Sequence, residues 1–182
     1  KNQKSMRYLI LLVFFLVVGF TNGQNGPRTI SKELLESIKA EIWIPFMESY
    51  AYLDSDKLKS IHSDEIVRIT LDQDNIQTGQ DYLTNFGRYI DNMKQQGGGL
   101  GIAFVILSTA VNETQDIAYQ TGYYRFSSKQ KGEKDLSIRG YGEFNVAIKK
   151  EEGSWKLVLD SDKRVQLSHD EFNSQKIIYK LE

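Results

Sequence analysis

Between residues 31 and 53, apolar side chains recur every three to four positions, a spacing that places them on one face of an α-helix. Ser31 is suited to cap the start of this helix, and Pro45 predicts a kink, because proline removes a backbone donor and crowds the preceding turn. The sequence Asp-Ser-Asp at 54–56 predicts the end of this helix and the start of a short second one over 57–61. The predicted apolar face consists of Leu35, Ile38, Ile42, Phe46, Tyr50 and Leu53.

The rest of the chain changes from helical spacing to alternation. Residues 65–71 predict a first strand, 72–79 a polar loop, and helical spacing then returns in a third helix. The face of that helix combines Tyr82 or Leu83, Phe86, Tyr89 or Ile90, and Met93. Four longer strands are predicted at 101–111, 117–127, 136–149 and 154–162, joined by short hairpin connections. The predicted class is therefore α+β, with helices packed on one face of a curved antiparallel sheet.

The two ends of the chain are predicted to lie outside this domain. Residues 8–20 form an apolar run that follows three basic residues, which is typical of a signal peptide and too short to cross a bilayer. We expect cleavage between Gly23 and Gln24, and export to a periplasm or to the extracellular space, with no stable membrane anchor afterwards. The predicted organisation is a signal peptide at 1–23, a linker at 24–30, a domain at 31–165 and a C-terminal extension at 166–182. The extension is predicted to add a short helix from Ser168 and a final strand.

Composition excludes several classes of function. The formal net charge is −1, and loss of the three basic residues in 1–23 would make it −4, so no nucleic-acid partner is expected. The chain has no cysteine and two histidines, which gives no basis for a disulfide or a structural zinc site. No cofactor and no metal site are predicted.

The order of predicted elements resembles the nuclear transport factor 2-like (NTF2-like) superfamily, in its SnoaL-like and ketosteroid-isomerase-like branch. The resemblance covers residues 31–164 and rests on four stretches in their order along the chain. They are "YAYLDSDKLKSIHSDEIVRI", "TGQDYLTNF", "AYQTGYY" and "EEGSWKLVLDSD". It implies a cystatin-like cone in which the long helix closes over the concave side of the sheet and leaves a ligand cavity at the wide end.

The resemblance also implies pairing of two copies through the convex sheet face. The sequence adds an independent observation, because residues 101–111 are apolar on both faces and should be covered on both sides. A helix on one side and a second copy on the other would satisfy this pattern. We therefore expect a homodimer through the sheet face.

Isomerase chemistry needs a carboxylate base near the end of the first strand and hydrogen-bond donors across the cavity. With Asp64 or Glu65 as the acid that opens the strand, the position of the base falls on Ile69 or Thr70, neither of which accepts a proton. The position of the donor falls on Asn145. The specific isomerase activity is therefore not expected of this chain.

Other candidate site residues follow from alternation along the later strands. Arg139, Tyr141, Glu143 and Asn145 share one face of their strand, and Ile138, Phe144, Val146 and Ile148 share the other. The polar stripe faces either the cavity or the solvent and a partner. Asp160 and Asp162 alternate with Trp155, Leu157 and Leu159, so the strand can bury its apolar row and present acids on the opposite face. Asp160 is either a cavity acid or part of a surface ion pair with Lys163 or Arg164.

The candidate catalytic residues are His62, Asp160, Tyr50 and Asn145, although His62 also fits a helix cap. The candidate ligand-binding residues are Trp43, Tyr50, His62, Tyr82, Tyr123, Tyr141 and Asn145. The leading hypothesis is an exported domain that binds a small apolar or ring-containing molecule in a cavity between helix and sheet. The alternatives are a SnoaL-like enzyme of proton-transfer chemistry, acting as an isomerase, cyclase or hydrolase, and a protein-interaction module.

Overall fold

The computed structural model describes residues 29–181, so the predicted signal peptide at 1–23 lies outside the described residues and stays a prediction. The predicted long helix is present as three consecutive segments, which together we call the N-terminal helix. They are α1 (Lys32–Ile38), a π-helical turn (Lys39–Trp43) and α2 (Ile44–Ala51). Ser31 caps the start as predicted, since its hydroxyl accepts a hydrogen bond from the Leu34 N–H at 3.2 Å.

The irregularity predicted at Pro45 takes the form of the π-helical turn that precedes it. The Ile44 N–H bonds to the carbonyl of Lys39, five residues back, and Pro45 has no N–H with which to continue the ordinary ladder. The wider turn directs two adjacent side chains, Ile42 and Trp43, toward the sheet, and both are fully buried.

The other two predicted helices are also present. Asp54 caps α3 (Ser55–Ser60) by accepting a hydrogen bond from the Lys57 N–H at 2.9 Å. The third predicted helix is α4 (Gly79–Gln95). Within residues 29–181, no helix is long and apolar enough to cross a membrane.

The strands of the described chain form one seven-stranded sheet in the order β2-β1-β6-β5-β4-β3-β7. Their bounds are β1 (His62–Thr70), β2 (Asn75–Thr78), β3 (Gly99–Val111), β4 (Ile117–Lys129), β5 (Ser137–Glu151), β6 (Ser154–Val165) and β7 (Ile178–Tyr179). Strands β3 to β6 form the predicted antiparallel meander, and β1 runs parallel to β6.

One predicted loop is a strand. Residues 72–79 were expected to be a polar loop, whereas Asn75–Thr78 forms β2 and pairs antiparallel with β1. A short 3-10 turn (Leu71–Gln73) and a left-handed Asp74 at φ 48° reverse the chain tightly enough for this pairing. Because β2 is an edge strand with polar side chains, alternation gives little sign of it.

The N-terminal helix and α4 cover one face of the sheet, here called the inner face, which carries Phe104, Gln120 and Phe144. Trp43 lies against it, with its ring centroid 4.6 Å from that of Phe104 and 5.1 Å from that of Phe144. The indole N–H of Trp43 donates to the side-chain oxygen of Gln120 at 2.7 Å, which fixes the ring. The other side of the sheet is here called the outer face, and it carries Val105 and the other alternating residues.

The C-terminal extension packs on the outer face. Ser168 forms a capping box with Glu171 at the start of α5 (His169–Asn173), and β7 adds to the edge of the sheet beside β3. Phe172 is completely buried in a small cluster with Ala103 and Val105. Residues 103–106 of β3 are therefore buried on both sides by their own chain, whereas Leu107 on the same strand is 47% exposed. The extension accounts for part of the apolar pattern of 101–111 without a second copy. The homodimer stays a prediction.

We predict that Phe172→Ala lowers the free energy of unfolding by about 3 kcal/mol, because it empties a fully buried site between the extension and the sheet. Leu181→Ala is the control, since Leu181 is 37% exposed and should cost well under about 0.5 kcal/mol. Urea unfolding of both variants measures the difference. Equal stabilities would mean that the extension is not part of the folded domain.

Candidate binding cavity

A β-bulge in β6 determines which side chains reach the inner face. Leu157 pairs with Ile148 and Leu159 with Ala147, so Val158 is an extra residue without a partner on β5. Alternation is therefore reversed after Leu157. The prediction that Asp160 and Asp162 lie opposite Trp155 and Leu157 is wrong, because Asp160 pairs with Val146 and Asp162 with Phe144, both on the inner face.

The two aspartates meet Arg68 of β1, a residue that the sequence analysis did not single out. One guanidinium nitrogen lies 2.9 Å from Asp160 Oδ1 and the other lies 2.7 Å from Asp162 Oδ1. All three side chains are largely buried. The predicted alternative of a surface ion pair with Lys163 or Arg164 is wrong, since Lys163 pairs with Glu143 and Arg164 with Asp72. We call Arg68, Asp160 and Asp162 the ionic cluster.

A glycine on β5 makes room beside this cluster. A Cβ at Gly142 would lie 2.2 Å from the Tyr124 ring, so only glycine lets that ring lie across β5. Tyr124 then reaches Asp162, whose charge and side-chain hydrogen bond add to burial in raising the pKa of the Tyr124 hydroxyl. The cluster is thereby extended by a neutral hydroxyl.

The ionic cluster lies in a cavity of about 580 Å³ between the N-terminal helix, α4 and the inner face. The apolar part of its wall consists of Trp43, Phe46, Phe86, Ile102, Phe104, Phe126, Phe144, Val146 and Leu157. The polar part adds the hydroxyls of Tyr50, Tyr82 and Tyr124 to the ionic cluster, and the mouth has Gln73, Gln77, Asn85, Tyr89 and Arg164. The cavity thus has aromatic walls, one charged end and a polar rim.

Burial sets the protonation states at the charged end. Burial raises the pKa of Asp160, and the nearby charge of Asp162 raises it further, against the opposing effect of Arg68. Burial by itself would lower the pKa of Arg68, but the two carboxylates outweigh it and keep the guanidinium protonated. Burial also raises the pKa values of Tyr50 and Tyr82, so both stay neutral phenols.

His62 lies in the protein wall behind the cavity. Its ring is buried among Phe46, Tyr82 and Phe86, with centroids 5.9 to 6.1 Å apart, and it does not line this cavity. Its Nδ1 donates to the Leu58 carbonyl at 2.8 Å, whereas Nε2 has no partner among the described residues. Burial lowers the pKa of His62 to about 4, so the ring is neutral near pH 7.

Three candidate ligand-binding residues lie on the outer face, away from the cavity. Asn145 accepts a hydrogen bond from the Tyr119 hydroxyl at 3.2 Å, and Tyr141 packs at an angle against Phe172 with ring centroids 5.5 Å apart. Tyr123 packs in the same outer cluster as Phe172. The hypothesis that the polar stripe faces the cavity is wrong, because burial of Phe144, Val146 and Ile148 against the helices turns the alternating residues outward.

One member of the predicted apolar face also changes sides. Ile138 pairs with Ser127, whereas Gly140 pairs with Phe126, which makes Arg139 the extra residue of a second bulge. Ile138 therefore lies on the outer face, where it is 45% exposed. Of the candidate residues, Trp43, Tyr50, Tyr82 and Asp160 line the cavity together.

A curved sheet with this strand order, covered on its inner face by the N-terminal helix and α4, defines the α+β class of the cystatin-like, NTF2-like fold, as the sequence resemblance implied. Solved structures with the same fold include a ketosteroid isomerase-like protein from Erwinia carotovora atroseptica, at 16% identity and a TM-score of 0.55. That match covers 75% of this chain and 100% of the other.

A conserved protein from Planctomyces limnophilus shares 14% identity at a TM-score of 0.61, over 75% of this chain and all of its own. An NTF2-like protein from Novosphingobium aromaticivorans shares 10% identity at a TM-score of 0.55, over 76% of this chain and 86% of its own. No protein-family model and no curated protein matches the sequence. At these identities the similarity establishes the fold alone.

We predict that His62 makes the protein sensitive to acid. The pKa of His62 is about 4 in the folded state and about 6.5 when unfolded, so protons bind the unfolded chain first as the pH falls. Stability from the neutral ring is complete above pH 6.5 and is lost on acidification toward pH 4. The loss between pH 7.5 and 5 should be about 2 kcal/mol.

His62→Asn removes this titration while keeping a donor for the Leu58 carbonyl, so its unfolding free energy should fall by about 2 kcal/mol less over that pH range. His169→Asn is the matched control, since His169 is exposed on α5 and its substitution should leave the pH profile as in the wild type. Urea unfolding at a series of pH values gives the comparison. Identical profiles for His62→Asn and the wild type would contradict the assignment.

Proposed function

We propose that this domain binds a small ring-containing molecule in the cavity between its helices and the inner sheet face. The observation that carries the proposal is the cavity itself, about 580 Å³ in volume, which is within the range that takes a drug-sized ligand. Its composition supports the same conclusion, because apolar walls with a few convergent polar groups are typical of ligand sites.

The walls favour a flat apolar ligand. Phe46, Phe104 and Phe144 lie at angles to one another around the fixed indole of Trp43, so several ring faces and edges meet the cavity. Each of these rings gains contact area when an apolar molecule replaces water in the cavity. The hydroxyls of Tyr50 and Tyr82, which line the cavity, give the ligand's polar substituent a place to bind.

A single observation supports proton-transfer catalysis as a second candidate function. Asp160 is a cavity carboxyl whose pKa burial raises, which is the direction required of a general base or acid near neutral pH. Tyr50 lies in the same cavity as a neutral donor. Neither His62 nor Asn145 supports this candidate, because neither lines the cavity. The ketosteroid isomerase-like relative adds the fold, and no residue roles are carried over from it.

Ligand binding is tested by thermal shift of residues 24–182 against a panel of mono-, bi-, tri- and tetracyclic compounds, with sterols as the tetracyclic members. A ligand at 100 times its dissociation constant should stabilise the protein by about 2.7 kcal/mol, which raises the melting temperature by several degrees. We predict that Asn85→Trp abolishes this shift, because Asn85 is exposed at the cavity mouth and an indole there closes the opening.

Thr84→Trp is the matched control, since Thr84 is the exposed neighbour on α4 and does not line the cavity. It should keep the wild-type shift. A shift that persists in Asn85→Trp would place the ligand elsewhere on the protein, and no shift by any ring compound would contradict the proposed function.

The catalytic candidate is tested by NMR detection of deuterium exchange at the acidic carbon of 2-tetralone, a ring ketone, in D₂O. If Asp160 is the base, the wild type accelerates exchange and Asp160→Asn slows it by about 100-fold or more, while Asp170→Asn on α5 leaves the rate unchanged. Equal rates for the wild type and Asp160→Asn would leave binding without catalysis as the function.

A further inference from the structure

The charges of the ionic cluster do not balance. One guanidinium, that of Arg68, faces two carboxylates, those of Asp160 and Asp162, at 2.9 and 2.7 Å. With both acids ionised the cluster carries one surplus negative charge inside the cavity. A buried negative charge that no positive charge balances is costly, so this surplus attracts a compensating cation.

Other charged groups at the cavity leave the surplus in place. Arg164 at the mouth is paired with Asp72 at 3.8 Å, and its side chain is 83% exposed, so solvent screens it from the cluster. Asp72 and Arg164 cancel one another in formal charge. Among the described residues that line the cavity, Arg68 and Arg164 are the basic ones.

The neutral groups around the cluster also favour a cation. The oxygens of Tyr50, Tyr82 and Tyr124 can accept hydrogen bonds from an ammonium group, and their pKa values are raised, which keeps each of them a phenol. The faces of the aromatic wall carry negative electrostatic potential, which attracts a cation when water is excluded. An anionic ligand would meet the surplus carboxylate, and the guanidinium that could bind it already holds two carboxylates.

We propose that the ligand of this cavity is an amine that is protonated at neutral pH and attached to an apolar ring. The ammonium group binds at the ionic cluster and the ring lies against the aromatic wall. This inference rests on the proposed function and narrows it to one chemical class. It assigns Asp160 and Asp162 as the residues that select the charge of the ligand.

The test compares three probes of nearly equal size by calorimetry at pH 7: 2-naphthylmethylamine, 2-naphthylmethanol and 2-naphthoate. The amine should bind about tenfold more tightly than the alcohol, and the carboxylate should bind most weakly. Asp162→Asn is nearly isosteric and neutralises the cluster, so it should weaken amine binding by about tenfold and change alcohol binding less than about twofold. Asp170→Asn, on the far side of the sheet, should change neither.

A second measurement uses the wild type alone and does not depend on a variant. Because burial raises the pKa of Asp160, the carboxyl gains protons on acidification and the surplus charge is lost. Amine affinity should therefore fall progressively as the pH is lowered from 7, whereas alcohol affinity should stay constant.

The outcomes separate this inference from the proposed function. If the alcohol binds as tightly as the amine, or the carboxylate binds most tightly, the inference is overturned and binding of ring compounds stands. The inference is also overturned if none of the three probes binds while other compounds of the ring panel do. If no ring compound binds at all, the proposed function fails together with it.

Discussion

The interior of this domain depends on the guanidinium of Arg68 being held between Asp160 and Asp162. A charged side chain is stable at such a depth only when partners at hydrogen-bond distance replace water, and here two carboxylates do so from the neighbouring parallel strand. The same interaction prevents apolar side chains from filling the space. The aromatic residues of the helices and the sheet therefore enclose a cavity beside the cluster, where a fully apolar interior would have packed closed.

The structure gives different environments to His62 and Asp160, the two residues that the sequence offered as candidate bases. The Nδ1–H of His62 donates a hydrogen bond to the Leu58 carbonyl, and Nε2 is buried without a partner among the described residues. Burial keeps the ring neutral, and it packs among the aromatic rings of the wall. Asp160 lies in the cavity, where burial raises its pKa and Arg68 limits the effect. Burial thus makes His62 a stability element that is sensitive to acid, and makes Asp160 the group that can respond to a ligand. The chemistry of the cavity accordingly concentrates where β1 and β6 meet.

Local patterns were sufficient to predict most of the fold from the sequence. Helical spacing, the Ser31 and Asp54 caps and the alternation of four long strands all depend on neighbours within a few residues, and the structure confirms them. The main errors of the prediction came from β-bulges. One extra residue, such as Val158, moves every later side chain of the strand to the opposite face. Which residue is left unpaired depends on the adjacent strand, so local alternation does not show it. Arg68 was overlooked for a related reason. Its place beside Asp160 depends on parallel pairing between strands distant in sequence, although an arginine among β-branched residues of a strand could have marked it.

Solved structures with the same fold do not show how the two sheet faces of this chain are covered. An uncovered apolar sheet face would favour pairing with a second copy. Here the C-terminal extension packs Phe172 against Val105 and adds β7 beside β3. The part of the surface that those residues cover is satisfied within one chain. The inner face is different, because its two carboxylates share one guanidinium and one negative charge of the cluster is left unbalanced. In the proposed function, the charged end of the cavity is what selects the ligand. Aromatic walls accept apolar molecules of many shapes, and a buried negative charge selects among them.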